Sequence, residues 1–240
     1  VEERPGLIAI GADPAQLQGM SETLPPLRAA IIPVTPLQQN CSLAWCTKTM
    51  RAAVIDPGGD LDKIKDAVRR AGVTVEKILL THGHIDHCGL AGELAKELLV
   101  PIEGPEEQDR FWIARLDEDG QRFGTPGRVF EPTRWLEEGD TVSFGEITLD
   151  VLHCPGHTPG HVVFIHRPTR FAFVGDVLFA GSVGRTDFPL SDHEALIDAI
   201  VTKLWPLGDM TFIPGHGPVS TFAQERASNP FVGDAALAQG

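Results

Sequence analysis

The sequence predicts an α/β fold in which two sheets pack face to face with helices on the outside. Three observations lead there. Short apolar runs bounded by turn residues read as strands. They fall into two blocks, each interleaved with segments of helical apolar spacing, a pattern that suits two packed layers flanked by helices. With 42% hydrophobic and 22% charged residues over 240 positions, the composition is that of a globular protein able to bury a core without staples.

Residues 1–29 have scattered proline and glycine and no sustained period, and are expected to form a poorly ordered leader. Met20 precedes a polar stretch that leads into the first strand, so residues 1–19 are expected to be extra to the native chain. One folded domain is expected over 30–231, with a tail over 232–240. It opens with three strands, "AAIIPV" (30–35), "SLAWCT" (42–47) and "RAAVID" (51–56). "DPGG" (56–59) is a turn. Asp60 is then placed to cap a helix whose Leu61, Ile64, Val68 and Ala71 share a face, and Gly72 ends it. "KILL" (77–80) is the next strand and "GLAGELAKELL" (89–99) the next helix.

Residues 104–128 are charged and glycine-rich around Phe111, Trp112 and Ile113, and are expected to lie on the surface as helix and loop. The second block of strands is "TVSF" (141–144), "EITLDVLH" (146–153), "HVVFIH" (161–166) and "RFAFVGD" (170–176). Ser191 and Glu194 make a capping box before a helix with Leu196, Ile197, Ile200 and Leu204 on one face. "MTFIPGHGP" (210–218) is a last strand and turn, and "TFAQERA" (221–227) a short helix.

The formal net charge of −13 repels phosphate backbones, so no nucleic-acid partner is expected. No apolar run approaches the ~20 residues of a membrane helix, so no membrane partner is expected either. Cys41, Cys46, Cys88 and Cys154 form no C-x-x-C pair and read as buried free thiols. With no secretory pattern at the start, a cytoplasmic monomer or small homo-oligomer is expected.

The chemistry concentrates in "KILLTHGHIDHCGL" (77–90), where a strand stops at Thr81 and His82, His84, Asp86 and His87 follow. Three other strand ends carry comparable groups beside glycine or proline: His157 in "LHCPGHTPG", Asp176 in "FVGD" and His216 in "FIPGHGP". A lone histidine beside a glycine is usually a turn or core residue; several strand ends finishing alike point to metal binding. One tetrahedral ion takes about four protein ligands. The set exceeds that and suits two ions sharing a bridge. His82 and His84 alternate in an extended loop and can reach one ion, whereas Asp86 and His87 point toward a second. Asp176 has two oxygens and can bridge. Such donors suit zinc first, and iron or manganese also. Of the remaining histidines, His153, His166 and His193 read as structural or exposed, and His161 as the one nearest a supporting role.

"THGHIDH", followed in order by His157, Asp176 and His216, resembles the ligand pattern of the metallo-β-lactamase fold superfamily. "QNCSLAWC", "VIDPGGD", "LHCPGHTPGHVVF", "GDVLFAGSVGRTDFP" and "FIPGHGP" are similar to the glyoxalase II-like hydrolases, in particular a short bacterial group without the C-terminal helical domain. The similarity runs from about residue 30 to about residue 231. It implies an αββα sandwich of two mixed sheets with helices on the outer faces. It implies His82, His84, His157 and Asp176 on one metal and Asp86, His87, Asp176 and His216 on the other. It also implies that Asp56 orients a ligand histidine, and that Arg185 lies where a cationic residue binds substrate and could pair with a glutathione carboxylate.

The chemistry so implied is hydrolysis of a thioester, an S-acylglutathione such as lactoylglutathione, by hydroxide bridging the two metals, with Asp86 orienting it or taking its proton. The helical domain that grips glutathione in the long enzymes is expected to be absent, because 22 residues follow Pro218. A persulfide dioxygenase of the same fold, with a single iron, is the alternative. A catalytically inactive metal-binding module is the rival of a different class, and it predicts missing ligands. A β-lactamase fits less well because a bridging Asp176 is not the pattern of those enzymes.

Overall fold

Many of the strand runs are apolar at consecutive positions, so both of their faces need cover. In the computed structural model, which describes residues 7–8 and 25–238, each sheet finds that cover on the other sheet and on a helical layer. The first sheet takes β1 (Leu7–Ile8), β2 (Leu27–Val34), β3 (Gln39–Cys46), β4 (Arg51–Ile55), β5 (Thr74–Leu79) and β6 (Ile102–Glu103), in that spatial order. β1 to β4 pair antiparallel, and β4, β5 and β6 pair parallel. The parallel crossovers run through α1 (Leu61–Ala71) and then through α2 (Ile85–Cys88) and α3 (Ala91–Leu98). Two short helices follow, α4 (Arg110–Ile113) and α5 (Leu116–Phe123).

The second half of the chain supplies β7 (Thr141–Phe144), β8 (Ile147–His153), β9 (Val162–His166), β10 (Phe171–Gly175) and the small hairpin β11 (Leu178–Phe179)–β12 (Ser182–Val183). Next come α6 (His193–Ala199), β13 (Thr211–Pro214), β14 (Ser220–Thr221), α7 (Phe222–Ser228) and α8 (Asp234–Leu237). Apart from the hairpin, these strands form the second sheet in the order β14-β13-β10-β9-β8-β7, with β10 and β13 parallel and the other neighbours antiparallel. Between the sheets, Leu27, Ala29, Ile55 and Leu79 meet Phe144, Leu149, Phe164, Phe173 and Ile213. Truncating a buried phenylalanine such as Phe164 to alanine costs about 3–5 kcal/mol, so this middle layer carries much of the stability. Ile64 and Leu94 cover the outer face of the first sheet, and Leu196, Leu204 and Phe222 that of the second. The architecture is therefore the αββα sandwich of two mixed sheets. Among the described residues, no helix is long and apolar enough to cross a membrane.

Strand direction places the site. β4 and β5 run the same way, as do β10 and β13, and β8 lies two antiparallel steps from β10, so it too points with it. The loops after β4, β5, β8, β10 and β13 thus open at like ends of their sheets, and they carry Asp56, His82, His157, Asp176 and His216.

Several local expectations change. The strand expected from residue 30 begins at Leu27, and Leu7–Ile8 pairs along its outer edge; of the expected leader, residues 1–6 and 9–24, Met20 included, lie outside the described residues. Asp60 stands at the start of α1 but its side chain does not cap it. Instead it accepts from the Thr35 N–H at 3.0 Å, a long-range tie that spacing along the helix does not reveal. α6 is capped one residue later than expected. Asp192 accepts from the Ala195 N–H, while the Ser191 hydroxyl donates to the His157 carbonyl at 2.7 Å. The segment 104–128 is not merely superficial, since Asp109, Trp112, Ile113 and Leu116 are buried. In the expected tail, Val232 is buried and accepts from the Trp205 indole N–H.

Candidate metal centre

The loop after β5 turns at once into the short helix α2, so His82 and His84 leave an extended segment while Asp86 and His87 leave the first helical turn. Five imidazoles and two carboxylates converge here. The His82 ring centroid lies 4.9 Å from that of His84 and 5.0 Å from that of His157. Ligating atoms of His82, His84 and His157 all lie within 4.8 Å of one another, and so do those of Asp86, His87 and His216. Asp176 stands between the two groups. Its Oδ1 is 3.2 Å from His87 Nε2, and its Oδ2 is 3.5 Å from His157 Nε2 and 3.8 Å from His216 Nε2. A side chain at Gly215 would collide with Asp176 Oδ1 and the His87 ring, so this close approach requires glycine.

Hydrogen bonds behind the rings set which nitrogen is free. His87 Nδ1 faces Asp56 Oδ2 at 2.9 Å, so it carries a hydrogen there, and Nε2 is the nitrogen turned toward the cluster. The Thr81 hydroxyl donates to Asp56 Oδ2 at 2.6 Å, so His82 Nδ1, 3.0 Å from Thr81 Oγ1, must donate to that oxygen. Asp56 thereby orients two histidines, one directly and one through Thr81. It also accepts from the Thr81 N–H at 2.8 Å. Asp56 sits at φ 55°, a left-handed conformation that aspartate tolerates better than most residues and that is common at functional sites. His157 Nδ1 donates to the Arg185 carbonyl at 2.8 Å, and His216 Nδ1 to the Leu37 carbonyl at 3.3 Å.

Four Nε2 atoms therefore point into the cluster; those of His87 and His216 face the carboxylates of Asp176 and Asp86, where a bound cation would replace the shared proton. The fifth ring brings His84 Nδ1 to 3.0 Å from His157 Nε2. His157 Nε2 accepts and His84 Nδ1 donates in this contact, and a shared cation could take the place of that proton, since nitrogens on one tetrahedral zinc at about 2.0–2.1 Å stand about 3.3 Å apart. His82 Nε2, His87 Nε2 and Asp176 Oδ1 are buried without a hydrogen-bond partner. Unpaired buried polar atoms of this kind are costly unless something else satisfies them. The donor set fits a pair of divalent cations.

The two groups differ electrostatically. Burial, reinforced by neighbouring rings, holds His82 well below the usual imidazole range, and burial with His157 brings His84 down to about 3. Burial also opposes charge on His87, but Asp176 and Asp86 outweigh it and raise His87 well above that range. Burial likewise opposes charge on His216, and its hydrogen bond with Asp86 and the charge on Asp176 raise it. Burial pushes the Asp176 carboxyl up, yet His87, His157 and His216 hold it far below the ordinary carboxylate range. Asp86 is lowered by His87 and His216 against its burial. The three-histidine group is thus held neutral and suits a borderline cation, while in the other the two carboxylates draw positive charge onto His87 and His216, charge that a cation bound there would replace.

His161 is buried. Its Nε2 accepts from the Asp176 N–H at 3.0 Å, and its ring stacks on His82 at 4.6 Å. His153, His166 and His193 stay outside the cluster, with His153 on the Pro159 carbonyl and His166 on Thr169. All four cysteines are free and buried; burial, helped by Asp56, pushes the Cys88 thiol well up, which argues against a thiolate ligand. Arg185 is on the rim rather than inside. Its guanidinium lies over the Phe188 ring at 4.7 Å and forms a two-point pair with Asp187 at 3.0 and 2.8 Å. Phe188 in turn sits edge-on to His84 at 4.8 Å. Three residues at the site were not singled out from sequence: Thr81, Asp109 and Phe188. Thr81 belonged to the motif and Phe188 to the segment that carries Arg185, whereas nothing local marked Asp109.

The family model described as the metallo-beta-lactamase superfamily matches residues 34–216. Hydroxyacylglutathione hydrolase GloC of Haemophilus influenzae is 47% identical over 205 residues, covering 84% of this chain and 96% of that protein. Two solved structures are similar over most of both chains. The BLEG-1 B3 metallo-beta-lactamase is 33% identical with a TM-score of 0.78, over 85% of this chain and 99% of that one. TTHA1623, determined in a di-iron-bound form, is 35% identical with a TM-score of 0.76, over 84% of this chain and 98% of that one.

Proposed function

The chain belongs to the metallo-beta-lactamase superfamily, and from that premise we propose that it is a hydrolase of glutathione thioesters that works with two divalent cations. The position of Asp176, within 3.8 Å of ring nitrogens from both groups, is the observation that carries the two-cation reading. His82, His84, His157 and Asp176 would hold one cation, and Asp86, His87, Asp176 and His216 the other. Bound there, the pair supplies Lewis acidity and a water acidic enough to attack near neutral pH. The donors suit zinc, and the di-iron form of TTHA1623 keeps iron in view.

The chain's own residues divide the remaining work. Asp86, with Oδ2 3.1 Å from His216 Nε2, is placed to orient the attacking water or take its proton. Asp56 and Thr81 keep His82 and His87 in the tautomers that leave Nε2 free. Phe188 and Trp112, edge-on to His84, form an apolar wall against which the acyl or thiol portion can lie. Arg185, on the same rim, offers a charge for a carboxylate of the thiol portion. The thioester assignment is supported by the 47% identity to hydroxyacylglutathione hydrolase GloC.

Metal analysis of the purified protein, beside lactoylglutathione cleavage, hydrolysis of a chromogenic β-lactam and oxygen uptake on the same sample, tests the reading. Thioester cleavage without oxygen uptake, with two equivalents of metal, is expected. Preference for the β-lactam, or oxygen consumed with a persulfide, would replace the substrate assignment.

A further inference from the structure

We infer that Asp109 is a positioning residue that fixes the distance between the two loops carrying His82, His84 and His157. Its carboxylate is fully buried and accepts three hydrogen bonds from those loops. Oδ2 accepts from the Gly83 N–H at 2.7 Å and from the Thr158 hydroxyl at 2.8 Å. Oδ1 accepts from the Gly160 N–H at 2.6 Å. Gly83 lies between His82 and His84, and Thr158 follows His157. One side chain from a third segment therefore holds both halves of the three-histidine group.

The surrounding backbone is shaped for this contact. A Cβ on Gly83 would stand 2.8 Å from Trp112 Cβ and 3.0 Å from the Asp109 carbonyl. A Cβ on Gly160 would stand 2.5 Å from the Glu106 carbonyl and 2.6 Å from Asp109 N. The Glu106 N–H also donates to the Gly160 carbonyl at 3.0 Å. Glu106 to Trp112 is thus keyed into both loops at positions where only glycine admits it. Asp86, His87 and His216 receive no hydrogen bond from Asp109 among the described residues, so the tie acts on one group and not the other.

Asparagine has nearly the same shape but cannot do the same work. With its oxygen toward Gly83 and Thr158, its NH₂ faces the Gly160 N–H; turned round, it faces the Gly83 N–H. Either way a buried backbone donor loses its acceptor. The separation of the two loops then relaxes while the rings themselves remain.

The inference rests on the two-cation reading, and cobalt(II) titration of the stripped full chain, with chelator competition and visible absorption as readout, distinguishes the two. His157→Ala identifies the step that belongs to the three-histidine group. Asp109→Asn is expected to weaken that step about ten- to a hundredfold, as loss of a residue that orients ligands does, and to leave the other within about twofold. Equal weakening of both steps, or of neither, overturns the inference while leaving the two-cation reading intact. Failure of the unsubstituted chain to take up cobalt overturns both. Should Asp109→Asn not fold, Thr158→Val removes one of the three donors and is expected to weaken the same step about three- to tenfold; no selective shift would overturn the inference.

Discussion

Asp56 Oδ2 stands 2.9 Å from His87 Nδ1, with both side chains buried. The pair sets the tautomer of a ring whose other nitrogen faces Asp176. Asp56→Asn keeps the shape and tolerates the left-handed backbone, but an amide NH₂ toward His87 makes Nδ1 an acceptor and moves the hydrogen to Nε2. Metal affinity should fall about ten- to a hundredfold, and chelator competition measures it. Unchanged affinity would mean that Asp56 serves only the turn.

Asp176 lies between both groups, so Asp176→Ala should empty both. His157→Ala should deplete mainly the group containing His82 and His84. Metal content by inductively coupled plasma mass spectrometry distinguishes the two variants. One equivalent with full activity in the unsubstituted protein would remove the binuclear reading.

Asp86→Asn preserves size and removes a charge that faces His216 at 3.1 Å. Turnover should fall more than substrate affinity, because the group acts on the attacking water rather than on the bound thioester. Near-normal kcat with a raised KM would move Asp86 out of the chemistry.

Arg185 is exposed and already paired with Asp187. A substrate carboxylate must compete with that partner in water, so Arg185→Ala should raise KM for lactoylglutathione only about two- to fivefold, with kcat unchanged. Asp187→Asn frees the guanidinium and should lower KM for the same substrate. A neutral thioester should respond to neither change. Equal responses on charged and neutral substrates would show that the pair shapes the loop instead.

Metal removal should be visible as lost stability. Ligand at about a hundred times its Kd contributes about 2.7 kcal/mol, which for a chain of this size corresponds to a fall of about 5–10 °C in Tm on chelation. A melting curve indifferent to chelator would argue against cations bound within the fold.

Much of this architecture was legible in the sequence because it depends on local signals. Apolar runs mark β3, β5, β9 and β10, and the spacing of Leu61, Ile64 and Val68 marks α1. His82, His84, Asp86, His87, His157, Asp176 and His216 could be gathered because each follows a strand. What escaped depends on partners distant in sequence. Asp109 reads as one more charged residue in a polar stretch, yet its hydrogen bonds reach residues 26, 49 and 51 positions away. Asp60 has ideal cap spacing but bonds to Thr35, 25 positions earlier. The start of α6 slipped by one because Ser191 and Asp192 are both good caps, and Ser191 is taken by the His157 carbonyl.

The cluster straddles the seam between the layers. His82, His84, Asp86 and His87 follow the first sheet; His157, Asp176 and His216 follow strands of the second. Neither group closes without a member from each side. A ribosome adding about 5–20 residues per second emits the early donors on the order of ten seconds before His216. For much of that interval the nascent chain holds only part of each donor set. Cations held as proposed would join the two halves once the second layer docks. On the proposed reading, metal content in a fresh preparation would track the chains in which the two layers have docked.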